Sequence, residues 1–325
     1  MKRFNSLLGT SRISILAARF ARYAAENRLS RRTIFFSTAT YRLRWRYRIE
    51  AFFLALFFRV FRFLPLDISS AIGGEIGRMI GPFFSANKTA KNNIAVAFPE
   101  MSAKEINRVI GGMWEHLGRV GAEYSSLPGT RLSSRLQVTG AEHLPKKGEA
   151  ALFFSGHIGN WELLCPVAFD RGVDLSIVYR HTNNPYVDAL IAKVRKDNTN
   201  ELIAKGLRGG MKILGALKRG GSVAMLVDQK QNNGIAVPFF GRDAMSSPAI
   251  AEIALKYNIP IIPARIIRSK GARFQSIIYP PLVFEKTGDH KADVLMLMTL
   301  INQTLEGWIR EHPEQWFWVH KRWPK

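Results

Sequence analysis

The residues best equipped for chemistry lie in one stretch, Ala150-Ala151-Leu152-Phe153-Phe154-Ser155-Gly156-His157-Ile158-Gly159-Asn160-Trp161-Glu162. Its first half is an apolar run rich in β-forming residues that stops at a Ser-Gly pair. His157 follows at once. Gly159 and Asn160 mark a turn, and Asn160 reads as the cap of a helix starting at Trp161. The pattern puts His157 at the end of a buried strand and Glu162 in the first turn of the next helix, where a carboxylate can reach back to the imidazole. A histidine held by a carboxylate can take a proton from an alcohol. The carboxylate fixes one tautomer, leaves the other ring nitrogen as base and stabilises the imidazolium that forms. The chain has no Gly-x-Ser-x-Gly elbow, so the economical reading is direct attack by a substrate hydroxyl, with His157 as general base. A histidine satisfied by local hydrogen bonds fits an isolated His-x4-Glu equally well, so the surroundings must decide.

Other residues could join such a site. Asp228 closes the apolar strand Ser222–Val227 at the same kind of sheet edge as His157; a turn-forming aspartate is the plainer alternative. Arg180 ends another strand and Arg195 lies on the following helix. A guanidinium is a natural clamp for phosphate, and surface charge is the alternative for both. Cys165, the single cysteine, cannot form an internal disulfide and reads as helix packing rather than a nucleophile. The seven histidines are scattered, with no Cys pair, His-Glu-x-x-His or carboxylate cluster, so no metal site is expected.

The elements that must position these residues alternate. Strands are predicted at Gln137–Thr139, Ala150–Ser155, Leu175–Arg180, Glu201–Ala204, Ser222–Asp228, Ile259–Ile267 and Arg273–Leu282, with helices near 160–171, 185–197, 207–219, 248–257 and 291–311. Ser247 and Pro248 read as cap and first helical position of the fourth helix. The expected fold is α/β, a mixed sheet flanked by helices. Ahead of it stands a helical lead-in: Leu66–Phe84, Lys88–Phe98, and a long helix from the capping box Ser102-Ala103-Lys104-Glu105 to about Tyr124. The expected domains are a basic arm over 1–41, a membrane-interface helix over 42–65 and a catalytic domain over 66–325, its helical part reaching about residue 130.

The formal net charge of +22 calls for an anionic partner. Residues 1–48 hold twelve Lys/Arg against one acid. Nucleic acid would fit such a segment, but no nucleic-acid-binding motif accompanies it. Arg44, Arg48, Arg59 and Arg62 fall on one helical stripe beside a phenylalanine-rich surface, the pattern of a helix lying in a membrane interface. No run of apolar residues is long enough to span a bilayer. An organellar transit peptide is a weaker reading of the first thirty residues than a basic, membrane-facing arm. Trp316, Phe317, Trp318 and Trp323 among Lys321 and Arg322 read as interfacial or core aromatics.

Taken whole, Gly156-His157-Ile158-Gly159-Asn160-Trp161-Glu162-Leu163 resembles the first motif of the lysophospholipid acyltransferase superfamily. It is closest to the lauroyl/myristoyl-type late acyltransferases of lipid A biosynthesis. Further blocks follow in order: Val178-Tyr179-Arg180 with Asn183-Asn184-Pro185-Tyr186, Leu226-Val227-Asp228-Gln229-Lys230, Val237-Pro238-Phe239-Phe240-Gly241, and His312-Pro313-Glu314-Gln315-Trp316-Phe317-Trp318-Val319-His320-Lys321-Arg322-Trp323. The resemblance runs from about Glu50 to the C-terminus. It implies an acyltransferase with His157 as base and Glu162 as its orienting acid. Asp228 and Gln229 would border the site, and Arg195 aligns best with the family's important arginine. It further implies an acyl carrier protein thioester as donor with no other cofactor, and a phosphorylated lipid A precursor as acceptor. The place would be the cytoplasmic face of the inner membrane, in lipopolysaccharide biosynthesis. Acylation of another glycolipid or of a glycerophospholipid is the alternative within the class.

Overall fold

The computed structural model describes residues 31–127 and 133–323, backbone only for 31–43 and Ser133. The chain divides into two compact units after Phe52, inside helix α1, Arg31–Phe63. That helix begins well before the expected Arg42, so the boundary between arm and interface helix is not a structural one; residues 1–30 of the expected arm lie outside the described residues. Among the described residues no helix is long and apolar enough to cross a membrane.

In the second unit α2 (Leu66–Ile80), α3 (Ala86–Ala97) and α4 (Ala103–Glu123) precede the sheet. The capping box is realised: Ser102 Oγ accepts from the Glu105 amide and the Glu105 carboxylate accepts from the Ser102 amide. The strands follow as β1 (Leu136–Thr139), β2 (Leu152–Ser155), β3 (Leu175–Tyr179), β4 (Glu201–Ala204), β5 (Ser222–Leu226), β8 (Ile261–Lys270) and β9 (Arg273–Ile278). They form one seven-stranded sheet, β1-β9-β8-β2-β5-β3-β4. Every neighbouring pair is parallel except β8 with β9, so the expected mixed α/β sheet is what the chain forms. A separate hairpin, β6 (Ile235–Phe239) with β7 (Arg242–Ser246), was legible only as a motif.

β2 is buried along its whole length because both sheet faces are covered. Its side chains alternate between two cores. Leu152 and Phe154 join one that includes Ile213 and Leu217 of α7 (Leu207–Lys218), Ile250 of α8 (Ala249–Tyr257) and Leu297 and Leu305 of α9 (His290–Glu311). Phe153 joins the other with Val167 and Ala168 of α5 (Leu164–Phe169). α6 (Pro185–Lys196) connects β3 to β4. Pro248 itself holds the cap position of α8, without a side-chain cap bond from Ser247. The closing aromatics are core: Trp316, Trp318 and Trp323 are buried against Phe239 and Phe240 of the hairpin.

One polar network locks the turn after β2 to the helical lead-in. Glu123, at the end of α4 and fully buried, takes a fork from Arg268 of β8 at 2.5 and 2.8 Å. It also accepts from Ser70 Oγ of α2 at 2.6 Å and from Asn160 Nδ2 at 2.8 Å. Asn160 therefore anchors the turn to α4; it makes no side-chain cap to the 3₁₀ turn Trp161–Leu163. A buried carboxylate left without such donors would cost several kcal/mol. His116, also buried on α4, accepts from Arg268 Nε at 3.3 Å, and burial, then the charge of Arg268, push its pKa down to about 3.

That depression has a stability signature. The unfolded chain binds a proton at His116 near its ordinary pKa of 6.5, whereas the folded chain refuses it until far lower pH. Its stabilising contribution is complete above pH 6.5 and is lost as pH falls, by roughly 1.4 kcal/mol per unit over the window down to about 3. Urea unfolding from pH 7 to 4.5 should show a shallower slope for His116→Leu than for wild type, whatever the variant's absolute stability.

Candidate active site

The site follows from one register. β2 and β5 run parallel with Ser155 opposite Leu226, and the ladder extends through Val227 N to Ser155 O at 3.0 Å. Two residues beyond each strand end, His157 and Asp228 emerge side by side at the C-terminal edge of the sheet, where open α/β sheets hold their ligands. Gly159 then reverses the chain at φ +57, with the Ile266 carbonyl standing where a Cβ would go.

Asp228 is fully buried. One oxygen accepts from His157 Nδ1 at 2.8 Å; the other accepts from the His157 backbone amide at 2.7 Å and from Trp316 Nε1 at 2.8 Å. Burial works against its charge, but the His157 charge and hydrogen bonds, helped by His320, hold its pKa well below the usual carboxylate range. An ionised Asp228 fixes the Nδ1–H tautomer and leaves His157 Nε2 as the basic atom. Gln229 Nε2 lies 3.4 Å from it. Trp161 meets the imidazole edge-on and Phe317 flanks it, with centroids 5.1 and 5.7 Å away.

Glu162 does not orient His157, contrary to the sequence expectation. Arg195 forks onto its carboxylate at 2.9 and 2.5 Å, and Trp161 Nε1 donates to it at 3.1 Å. Burial opposes the Arg195 charge, but the Glu162 carboxylate more than offsets this and raises its pKa. Arg195 is thus held as the partner of Glu162 rather than presented as an open phosphate clamp. Glu162 acts on the imidazole only through Trp161. The residue that does hold the imidazole, Asp228, was legible as a site-bordering residue but not as the histidine's partner; Trp316 was legible as an interfacial or core aromatic but not as a donor to Asp228.

A cavity of about 410 Å³ runs from His157 under α5. Small residues line it on the strands, Ala224, Ala264 and Ser276, and the short α5 lies along it. Phe153, Leu175, Ile177 and Ile278 make its walls apolar. Cys165 lines it, and burial, with the nearby Glu162 charge, pushes its thiol up to about 12, which leaves it protonated and a poor nucleophile. Arg180 and Lys205 stand on the same cavity's lining, and among the described residues their side chains carry no hydrogen bond or ion pair. Lys205 is an addition the sequence did not single out. Among the described residues no group of His, Cys, Asp and Glu could hold a metal ion.

Residues 38–325 match the family described as bacterial lipid A biosynthesis acyltransferase. The chain is 24% identical over 277 residues to the lipid A biosynthesis palmitoleoyltransferase of Escherichia coli K12, covering 80% of this chain and 86% of that one. It is 26% identical over 275 residues to the lauroyltransferase of the same organism, with the same coverage. It is also 24% identical over 277 residues to a lipid A biosynthesis acyltransferase of Shigella flexneri.

The geometry ranks the two carboxylates. Asp228→Asn keeps the size but frees the wrong tautomer, and should lower turnover by about three to four orders of magnitude. Glu162→Gln loosens Arg195 and Trp161 and should cost about tenfold to a hundredfold less than that. Steady-state rates of the two folded variants decide it; the reverse order would make Glu162 the imidazole's working partner.

Proposed function

The chain belongs to the bacterial lipid A biosynthesis acyltransferase family, and from that membership we propose that it moves a fatty acyl chain from an acyl carrier protein thioester onto a hydroxyl of a lipid A precursor. The observation that carries this reading is the His157–Asp228 pair, with His157 on the lining of a cavity that has apolar walls.

With the acyl chain in the cavity, the thioester carbonyl sits beside His157. Nε2 removes the proton of the acceptor hydroxyl as its oxygen attacks that carbonyl. Asp228 stabilises the imidazolium, which returns the proton to the departing thiolate. The transfer is direct, since Cys165 is protonated and no serine elbow is present. Gln229 Nε2 stands 3.4 Å from His157 Nε2 and can donate to a group that reacts there. Arg180 and Lys205 offer charge to the acceptor's phosphate or to the phosphate of the carrier's prosthetic arm.

Acceptor and enzyme meet at an anionic membrane surface, the cytoplasmic face of the inner membrane. The exposed Arg59 and Arg62 of α1 suit this role. The outward apolar residues beside them are Phe53, Leu56, Val60 and Phe63. Phe61 is buried, Phe57 packs on it and Phe58 stacks on Tyr124, so these three serve the protein core instead.

Purified His157→Ala should lose about two to four orders of magnitude in transfer from acylated carrier protein to lipid A precursor. The mass spectrum of lipid A from a strain lacking the gene should show one secondary acyl chain missing. An unchanged spectrum together with a near-wild-type His157→Ala rate would remove this reading.

A further inference from the structure

Helix α2 is built inside out. After Leu66 at its start, its buried positions are Ser69, Ser70, Gly73 and Gly74, and its backbone lies directly on α4. A Cβ on Gly73 would run into Ala122 and the Gly118 carbonyl; one on Gly77 would run into the Trp114 carbonyl and Gly118. Beyond Leu66, its large apolar residues face the other way. Ile68, Ile72, Ile76 and Met79 recur at steps of four, four and three and are 49%, 42%, 39% and 69% exposed, and Phe83 just beyond is 88% exposed.

A helix of a water-soluble surface turns its large apolar side chains to the core and its polar ones outward. Small residues at the helix contact with large aliphatic ones outward is the arrangement of helices surrounded by lipid. The third edge of α2 is polar and tied to the body: Asp67 pairs with Arg135 at 2.8 Å and Arg78 with Glu115 at 3.4 Å. Exposed cations stand on the helices that precede and follow it in the chain, Arg59 and Arg62 on α1 and Lys88 and Lys91 on α3. An apolar strip on a helix flanked in the chain by exposed cations is complementary to acyl chains beneath anionic headgroups. A second copy of this chain, at +22, would meet those cations with its own. With fifteen residues, α2 is roughly 22 Å long, too short to span a hydrocarbon core of about 30 Å.

We propose that the outward face of α2, Ile68–Ile72–Ile76–Met79 continued by Phe83, lies in the acyl region of an anionic bilayer and seats the enzyme there in-plane. This rests on the reading that the acceptor is a membrane lipid. It assigns to a second helix the apolar part of a contact whose basic part lies on α1.

The test uses the full chain, with Cys165 replaced by Ala, carrying a polarity-sensitive fluorophore on Ile72→Cys, Met79→Cys or, on the side of Asp67 and Arg78, Ala71→Cys. On phosphatidylglycerol–phosphatidylethanolamine vesicles, probes at 72 and 79 should shift to the blue and be quenched by acyl-chain nitroxides, while the probe at 71 stays aqueous. Aqueous probes at 72 and 79 on bound protein, or no vesicle binding, overturn the proposal. So do probes already dry before lipid is added, the mark of cover by residues 1–30 or, if sedimentation shows a dimer, by a second copy. Replacing Ile68, Ile72, Ile76 and Met79 by Ser should lower vesicle partitioning by about two to three orders of magnitude, with transfer to detergent-dispersed acceptor retained. If wild type fails to acylate the dispersed acceptor while the probes enter lipid, the assigned reaction falls and the docking face stands.

Discussion

A carboxylate sealed from water at the end of a central strand sets the terms for this structure. Asp228 can remain charged only if donors surround it, because an unpaired buried charge costs several kcal/mol. Its three donors come from two distant parts of the chain. His157 supplies two because β2 and β5 run parallel with their ends aligned. Trp316 supplies the third from the C-terminal segment, which must therefore dock. It does so through Phe317 N to His157 O, Gly159 N to Gln315 O, and the Asn93 amide of α3 donating to Trp318 and His320 carbonyls. Arg322 lies over Phe239 and bonds the hairpin at Met245 and Ser246. The conspicuous aromatic ending is thus the clamp that completes the electrostatics of the histidine.

The second carboxylate does different work. Glu162 holds Arg195 and Trp161, so it shapes the wall against which the imidazole rests and the entrance of the cavity. Behind the turn that carries both residues, Glu123 and Arg268 form a further buried pair that reaches Asn160. Two ionic networks therefore flank one short turn, one toward the reacting atoms and one toward the helical lead-in. Such a turn is well fixed in place, which is what a general base requires.

The sequence carried the elements well and the partners less well. All seven strands of the sheet were legible from apolar runs, and the capping box placed α4. Both residues of the working pair were recognisable as chemistry-bearing strand ends. Which carboxylate holds His157 was not legible, because strand order is a long-range property: 71 residues separate His157 from Asp228, while Glu162 is near in sequence and turned away in space. For the same reason Arg195 looked like a free clamp until Glu162 was found on it. The burial of Phe61 and the outward apolar face of α2 likewise depend on neighbours rather than on periodicity, since helical spacing shows a stripe without saying what covers it.

The central claim is that Asp228 fixes His157 with its proton on Nδ1, leaving Nε2 to act as base. Nitrogen-15 histidine NMR of the folded protein, with the His157 resonances identified from their loss in His157→Ala, reads that tautomer directly. The account predicts a neutral His157 protonated at Nδ1 and bare at Nε2, a preference abolished by Asp228→Asn and kept in Glu162→Gln. A proton found on Nε2, or a tautomer that ignores Asp228 and follows Glu162, would contradict it.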